Sequence, residues 1–91
     1  MADAKHKVED ELILSCAREA VLETAGTSSL SRDVRIDRDK HGISVNIFAN
    51  VAYGSRIPEV AWDIQENVKH KVSDVAGIVL NKINVNIQGV E

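Results

Sequence analysis

Residues 52–78, AYGSRIPEVAWDIQENVKHKVSDVAGI, run from a strand end through a Tyr-Gly corner into a long amphipathic helix and out through a glycine. Ile57, Val60, Ala61, Ile64, Val68, Val72 and Val75 fall within a stripe about 120° wide at helical spacing, which predicts one buried face. Pro58 suits the first helical turn, where its missing N–H leaves nothing unsatisfied, and Gly77 followed by Ile78 suits a left-handed stop with a hydrophobic contact. Burying such a stripe is worth on the order of 10 kcal/mol before chain entropy is subtracted, so this helix is the expected anchor of the fold.

On either side of it the period changes from helical to alternating. Upstream, ISVNIFANV points Ile43, Val45, Ile47, Ala49 and Val51 one way and Ser44, Asn46, Phe48 and Asn50 the other. Downstream, KINVNIQGV repeats the pattern, with Ile83, Val85 and Ile87 inward and Lys82, Asn84, Asn86 and Gln88 outward. VRID forms a further strand, joined to the first through RDKHG, a hairpin turn ending at Gly42. GTSSLSRD before it reads as a turn-rich loop.

Farther out, VEDELILSCAREAVLETAG places Ile13, Ala17, Ala20, Val21 and Thr24 at helical spacing, predicting a helix over about 8–25 that stops at Gly26. Glu9, Asp10 and Glu11 at its start favour the positive end of the helix dipole. Val8, Leu12 and Leu22 lie roughly opposite the main stripe. They are either scattered surface residues or, for Leu12 above all, a patch that another helix or subunit covers.

The expectation is a single small α+β domain over 8–91, preceded by a flexible tail at 1–7. Its order is α-β-β-α-β, with two helices packed on one face of a three-stranded mixed sheet and a right-handed crossover. The open face carries Asn46, Phe48, Asn50, Asn84, Asn86 and Gln88, polar and almost uncharged.

Composition narrows the function. With 91 residues, 44% of them hydrophobic and 27% charged, the chain makes one globular domain with little room for a deep active site. A net charge of −3 without any long lysine-arginine run argues against nucleic acid. A single cysteine, Cys16, excludes an internal disulfide and fits a reducing compartment. The opening MADAKHKVEDELIL suits neither a signal peptide nor a membrane span, so the expectation is a cytoplasmic protein without direct membrane insertion.

No constellation of catalytic, cofactor-binding or metal-binding residues emerges. His6, His41 and His70 lack the spacing of a metal site, and Cys16 has no histidine placed to activate it. The serines of GTSSLS lack the elbow of a hydrolase. The helix start after Gly54, with Ser55 and Arg56, could attract an anion, yet neither a G-x-G-x-x-G nor a Walker sequence is present, and a strand-ending glycine is the simpler account. The element order faintly resembles the type II KH arrangement, but no G-x-x-G loop occurs and Phe48 alone is a poor platform for stacking bases. Trp62 stands out, about 130° from the centre of the apolar stripe. It reads as a flank packed on the first helix or as an anchor for a protein partner, a role in which tryptophan is enriched.

The stretch VAYGSRIPEVAWDIQENVKHKVSDVAGIVLNKINVNIQGVE resembles the alkaline shock protein family, also called the Gls-type envelope stress response family of mainly Gram-positive bacteria. The likeness lies in the Tyr53-Gly54 corner, the Ile-Pro-x-Val-Ala run with Pro58, Gln65 four residues after Ala61, the Gly77 stop and the closing Asn-Val-Asn-Ile-x-Gly-Val. Family members commonly carry a small or charged residue where Trp62 stands. The resemblance implies a cytoplasmic, non-enzymatic protein that needs no cofactor. It also implies self-association and attachment, at the inner face of the cell membrane, to a membrane-anchored protein partner. Trp62, Phe48, Asn46, Asn50, Asn84, Asn86 and Leu12 are the candidate contact residues. An alternative is an accessory subunit in lipid or acyl metabolism that binds a small ligand near Tyr53, Gly54 and Arg56.

Overall fold

The computed structural model describes residues 4–91, with side chains from Lys7 onward. Of the expected tail, residues 1–3 lie outside the described residues, whereas 4–7 already belong to helix α1, Ala4–Glu23. The earlier start corrects the reading of the acidic cluster. Glu9, Asp10 and Glu11 sit beyond the first turn, and Glu9 and Asp10 instead accept hydrogen bonds from the Arg38 guanidinium, at 2.9 Å for Glu9.

α1 buries Ile13, Cys16, Ala17, Ala20 and Val21, as its periodicity requires. Thr24 just beyond it is buried too, donating through Oγ1 to the Ala20 carbonyl (2.8 Å) and accepting from Asn67 Nδ2 (2.9 Å). The expected loop then contains a short strand, β1, Thr27–Leu30. A single threonine beside two serines gives little local signal, and pairing with the end of a long neighbouring strand decides the matter. β2, Arg35–Asp39, and β3, Gly42–Val51, form the hairpin, closed by the pair Asp39 and Gly42.

β1 and β2 lie one after the other along the same side of β3, both antiparallel to it, and β4, Lys82–Val90, runs parallel to β3 on its other side. The sheet thus has four strands in three rows. Val45, Ile47, Ala49 and Val51 face the helices and are fully buried, with Ile83, Val85 and Ile87 of β4 packed against the same core.

Helix α2, Ile57–Lys71, continues into a π-helical turn, Val72–Ala76, and ends at Gly77 with φ 69°. The Gly77 N–H donates to Ser73 O (3.0 Å) and the Ile78 N–H to Val72 O (3.4 Å), which is the expected left-handed stop. Val60, Ile64, Val68 and Val72 are buried, but both ends of the predicted stripe leave the core. Ile57 is 42% exposed because a first-turn side chain points back past the helix end. Val75 is 58% exposed because the π turn inserts a residue and brings Ala76 to the core instead.

Outside the core, Arg18 holds Asp33 through two hydrogen bonds of 2.7 and 2.8 Å, tying α1 to the approach to β2. These bonds, with help from the Val34 N–H, hold the Asp33 carboxyl below the usual carboxylate range. A group depressed in the folded state stabilises above its unfolded value, and that contribution is lost as pH falls through the folded value. Asp33→Asn should therefore lower Tm slightly at neutral pH, the pair being solvent-exposed, and the gap to wild type should close in melts taken below about pH 4.

Candidate protein-interaction surface

The candidate residues divide between two surfaces. Asn46, Phe48, Asn50, Asn84 and Asn86 share the open face of the sheet, as alternation required, but most of them are engaged with neighbours. Asn46 Nδ2 donates to Asp37 (2.7 Å), Asn50 Nδ2 to Ser29 Oγ (3.1 Å), and Asn86 Nδ2 to the Ile47 carbonyl (3.2 Å). Phe48 lies beneath the Arg32 guanidinium, 4.7 Å from the ring centroid. At one end of this face the Glu91 carboxylate accepts from Ser28 and Ser29 hydroxyls, both at 2.7 Å, which hold it below its usual range.

The face is also more charged than expected. Register places Arg35 beside Asn46 and Asp37 beside Ser44, with Lys82 on the other side of Ser44. The signal for Arg35 and Asp37 was available, since both flank inward-facing Ile36. Arg32 lies outside any strand, and nothing in its spacing places it over Phe48. A β-bulge between Ala49 and Asn50 adds Gln88 and sets Gly89 opposite Asn50.

Trp62 and Leu12 belong to the helical layer. Leu12, with Val8 and Leu22, stays exposed on α1, at 40% for Leu12. Trp62 is 59% exposed, so it is not packed away against α1. The geometry of α2 explains this. Asn67 and Lys71 face α1, where the Lys71 ammonium donates to Glu19 (3.1 Å) and Glu23 (2.6 Å). The opposite flank, Trp62, Gln65, Glu66 and Lys69, looks toward β4, and the last three line a groove with Leu80–Asn84.

Beside Trp62 a shallow, open groove is lined by Arg56, Pro58, Glu59 and Trp62 itself. Tyr53, at the corner before α2, is 88% exposed, and Arg56 has Glu59 as its nearest carboxylate, at 3.9 Å. Gly54 has φ 89°, the positive value for which a strand-ending glycine suits the corner. Among the described residues, no group of three His, Cys, Asp or Glu side chains is placed to hold a metal ion. Cys16 is buried, and burial pushes its thiol pKa up, away from the reactive thiolate. No helix among the described residues is long and apolar enough to cross a membrane.

The chain is 30% identical over 71 residues to the uncharacterized protein YqhY of Bacillus subtilis, covering 78% of this chain and 53% of that one. Identity to YloU of the same organism is 29% over 73 residues, covering 80% and 61%. The chain thus spans about half to three fifths of the length of these relatives. Among solved structures, a MamM CTD variant superimposes with a TM-score of 0.60 at 17% identity, covering 98% of each chain, which shows a shared fold. The sequence profile of the alkaline shock protein 23 family, described as having a cell envelope-related function, matches residues 6–91. The family resemblance read from the sequence therefore holds, and this chain belongs to the alkaline shock protein family.

Proposed function

We propose that this domain is a non-enzymatic protein-interaction module of the bacterial envelope (alkaline) stress response. It associates with itself, works on the cytoplasmic side and is recruited to the inner face of the membrane by an anchored protein partner. The observation that carries this reading is Trp62, a large aromatic ring left 59% exposed beside Pro58 on the flank of α2. Tryptophan, with tyrosine and arginine, is enriched among the residues that anchor protein contacts, and it has only two side-chain torsions to fix when it is covered. Family membership supports the envelope setting.

Trp62 is the chain's only tryptophan, so its emission reports directly on its burial. Emission should move to shorter wavelength as the protein is concentrated or mixed with membranes of the native cell, and Trp62→Ala should weaken capture of envelope proteins by about tenfold or more. A strict monomer by light scattering at high concentration, together with capture unchanged in Trp62→Ala, would overturn the proposal.

A further inference from the structure

The fold has two sheet edges, and they are built differently. On one side the row is broken into β1 and β2, with a bulge between Thr27 and Ser29, and four of the five residues of β2 (RIDRD) are charged. Short, bulged, charged edges resist pairing with another chain. The other edge is β4, nine residues long, with Lys82 its only charged residue and no proline, and among the described residues it pairs with β3 alone.

The hydrogen bonds of β3 fix which groups of β4 are free. Even-numbered backbone groups of β3 point to β1 and β2: Phe48 O accepts from the Ser31 N–H at 2.8 Å, and the Ala52 N–H donates to Gly26 O at 2.8 Å. Odd-numbered ones point to β4: Ile43 O accepts from the Asn81 N–H at 2.7 Å, and Val51 O from the Glu91 N–H at 2.8 Å. In a parallel ladder with Val45 beside Ile83 and Ile47 beside Val85, those groups bond to the residues flanking their partners, Lys82, Asn84 and Asn86. The N–H and C=O groups of Ile83, Val85 and Ile87 are left facing outward.

Those outward groups sit in a palindrome, Ile83-Asn84-Val85-Asn86-Ile87. An antiparallel copy centred on Val85 sets each residue against its own kind: Val85 against Val85, Ile83 against Ile87, Asn84 against Asn86. Hydrogen-bonded pairs then fall on the isoleucines and valines, and the asparagines face one another across the closer, non-bonded positions of the open face. Lys82 meets Gln88, so no like charges oppose. The α2 flank above this edge offers one carboxylate, Glu66, and one ammonium, Lys69, and a two-fold partner presents the same pair reversed.

We propose that β4 pairs antiparallel with β4 of a second copy of this chain, centred on Val85, joining two sheets into one continuous sheet with the α2 flanks alongside each other. This rests on the self-association proposed above and names its surface and register.

Charge placement tests it. Light scattering and sedimentation should show wild type as a dimer and Asn84→Lys/Asn86→Lys as a monomer, because the register sets lysine against lysine. Asn84→Lys/Asn86→Glu should remain dimeric, each lysine meeting a glutamate of the other copy. Should the double-lysine variant fail to fold by circular dichroism, cysteines decide. In a Cys16→Ala background, Asn84→Cys mixed with Asn86→Cys should form a disulfide-linked heterodimer faster than either variant alone. A dimer that survives the double-lysine change, or crosslinks no faster on mixing, places the interface elsewhere and overturns this inference while leaving self-association standing. A strictly monomeric wild type overturns both.

Discussion

Ile64→Ala should destabilise the domain by roughly 2–5 kcal/mol, the cost of deleting buried methyl groups and leaving a cavity that the surroundings fill only in part. Ile64 is fully buried at the middle of α2, within the core cluster between the helices and the sheet. A domain of this length has a total stability of only about 5–13 kcal/mol, so the change removes a large fraction of it. Urea unfolding at fixed protein concentration should show the midpoint falling steeply with the slope unchanged. Ile57→Ala is the matched control. It makes the same chemical change on the same predicted stripe, but at a position 42% exposed, and should cost well under half as much. Equal losses from the two variants would contradict the burial that separates them.

That pair marks where the sequence could be read and where it could not. Periodicity located both helices, the inward set of β3 and β4, and the Gly77 stop, because each is a local pattern repeated over several turns or pleats. It extended the α2 stripe one residue too far at each end. At Ile57 the pattern ran past the point where there was anything to pack against. At Val75 a change from α to π winding altered the spacing itself, and no residue of VSDVA announces it. β1 escaped for a related reason: TSSL has no apolar alternation and one β-branched residue, and it is a strand because it pairs with the last residues of β3.

The interaction surface was legible in the same uneven way. Alternation put the asparagines and Phe48 on one face, and the angle of Trp62 to the stripe left its ring exposed. Their partners came from elsewhere in the chain. Asp37 beside Asn46 follows from the hairpin, but Arg32 over Phe48 and Glu91 beneath two serines join residues farther apart in sequence, and only the closed sheet brings them together. The consequence for function is a shift of weight. The open sheet face, whose amides mostly bond within the domain, is less free to bind than the asparagine pattern suggested. The α2 flank with Trp62 and the neighbouring β4 edge is more so.

Gly26→Ala should be among the most damaging loop changes available, for two reasons that add. Its φ of 92° lies in the left-handed region, where an alanine costs about 1–2 kcal/mol. In addition, a Cβ there would stand 2.6 Å from Val60 Cγ2, a side chain buried against the core and too short to swing aside. Overpacking of that kind costs typically about 1–3 kcal/mol more, since α2 must lift away from the end of α1. Gly54→Ala and Gly77→Ala share the left-handed backbone but meet nothing within 4 Å, so they isolate the conformational part and should cost about 1–2 kcal/mol each. The double variant Gly26→Ala/Val60→Ala separates the remainder. Removing the Val60 methyl groups makes room for the new Cβ, so the double change should be less destabilising than the sum of the singles, by about 0.5–3 kcal/mol. Strict additivity would mean that the first turn of α2 does not rest on Gly26, and that only the backbone strain is real.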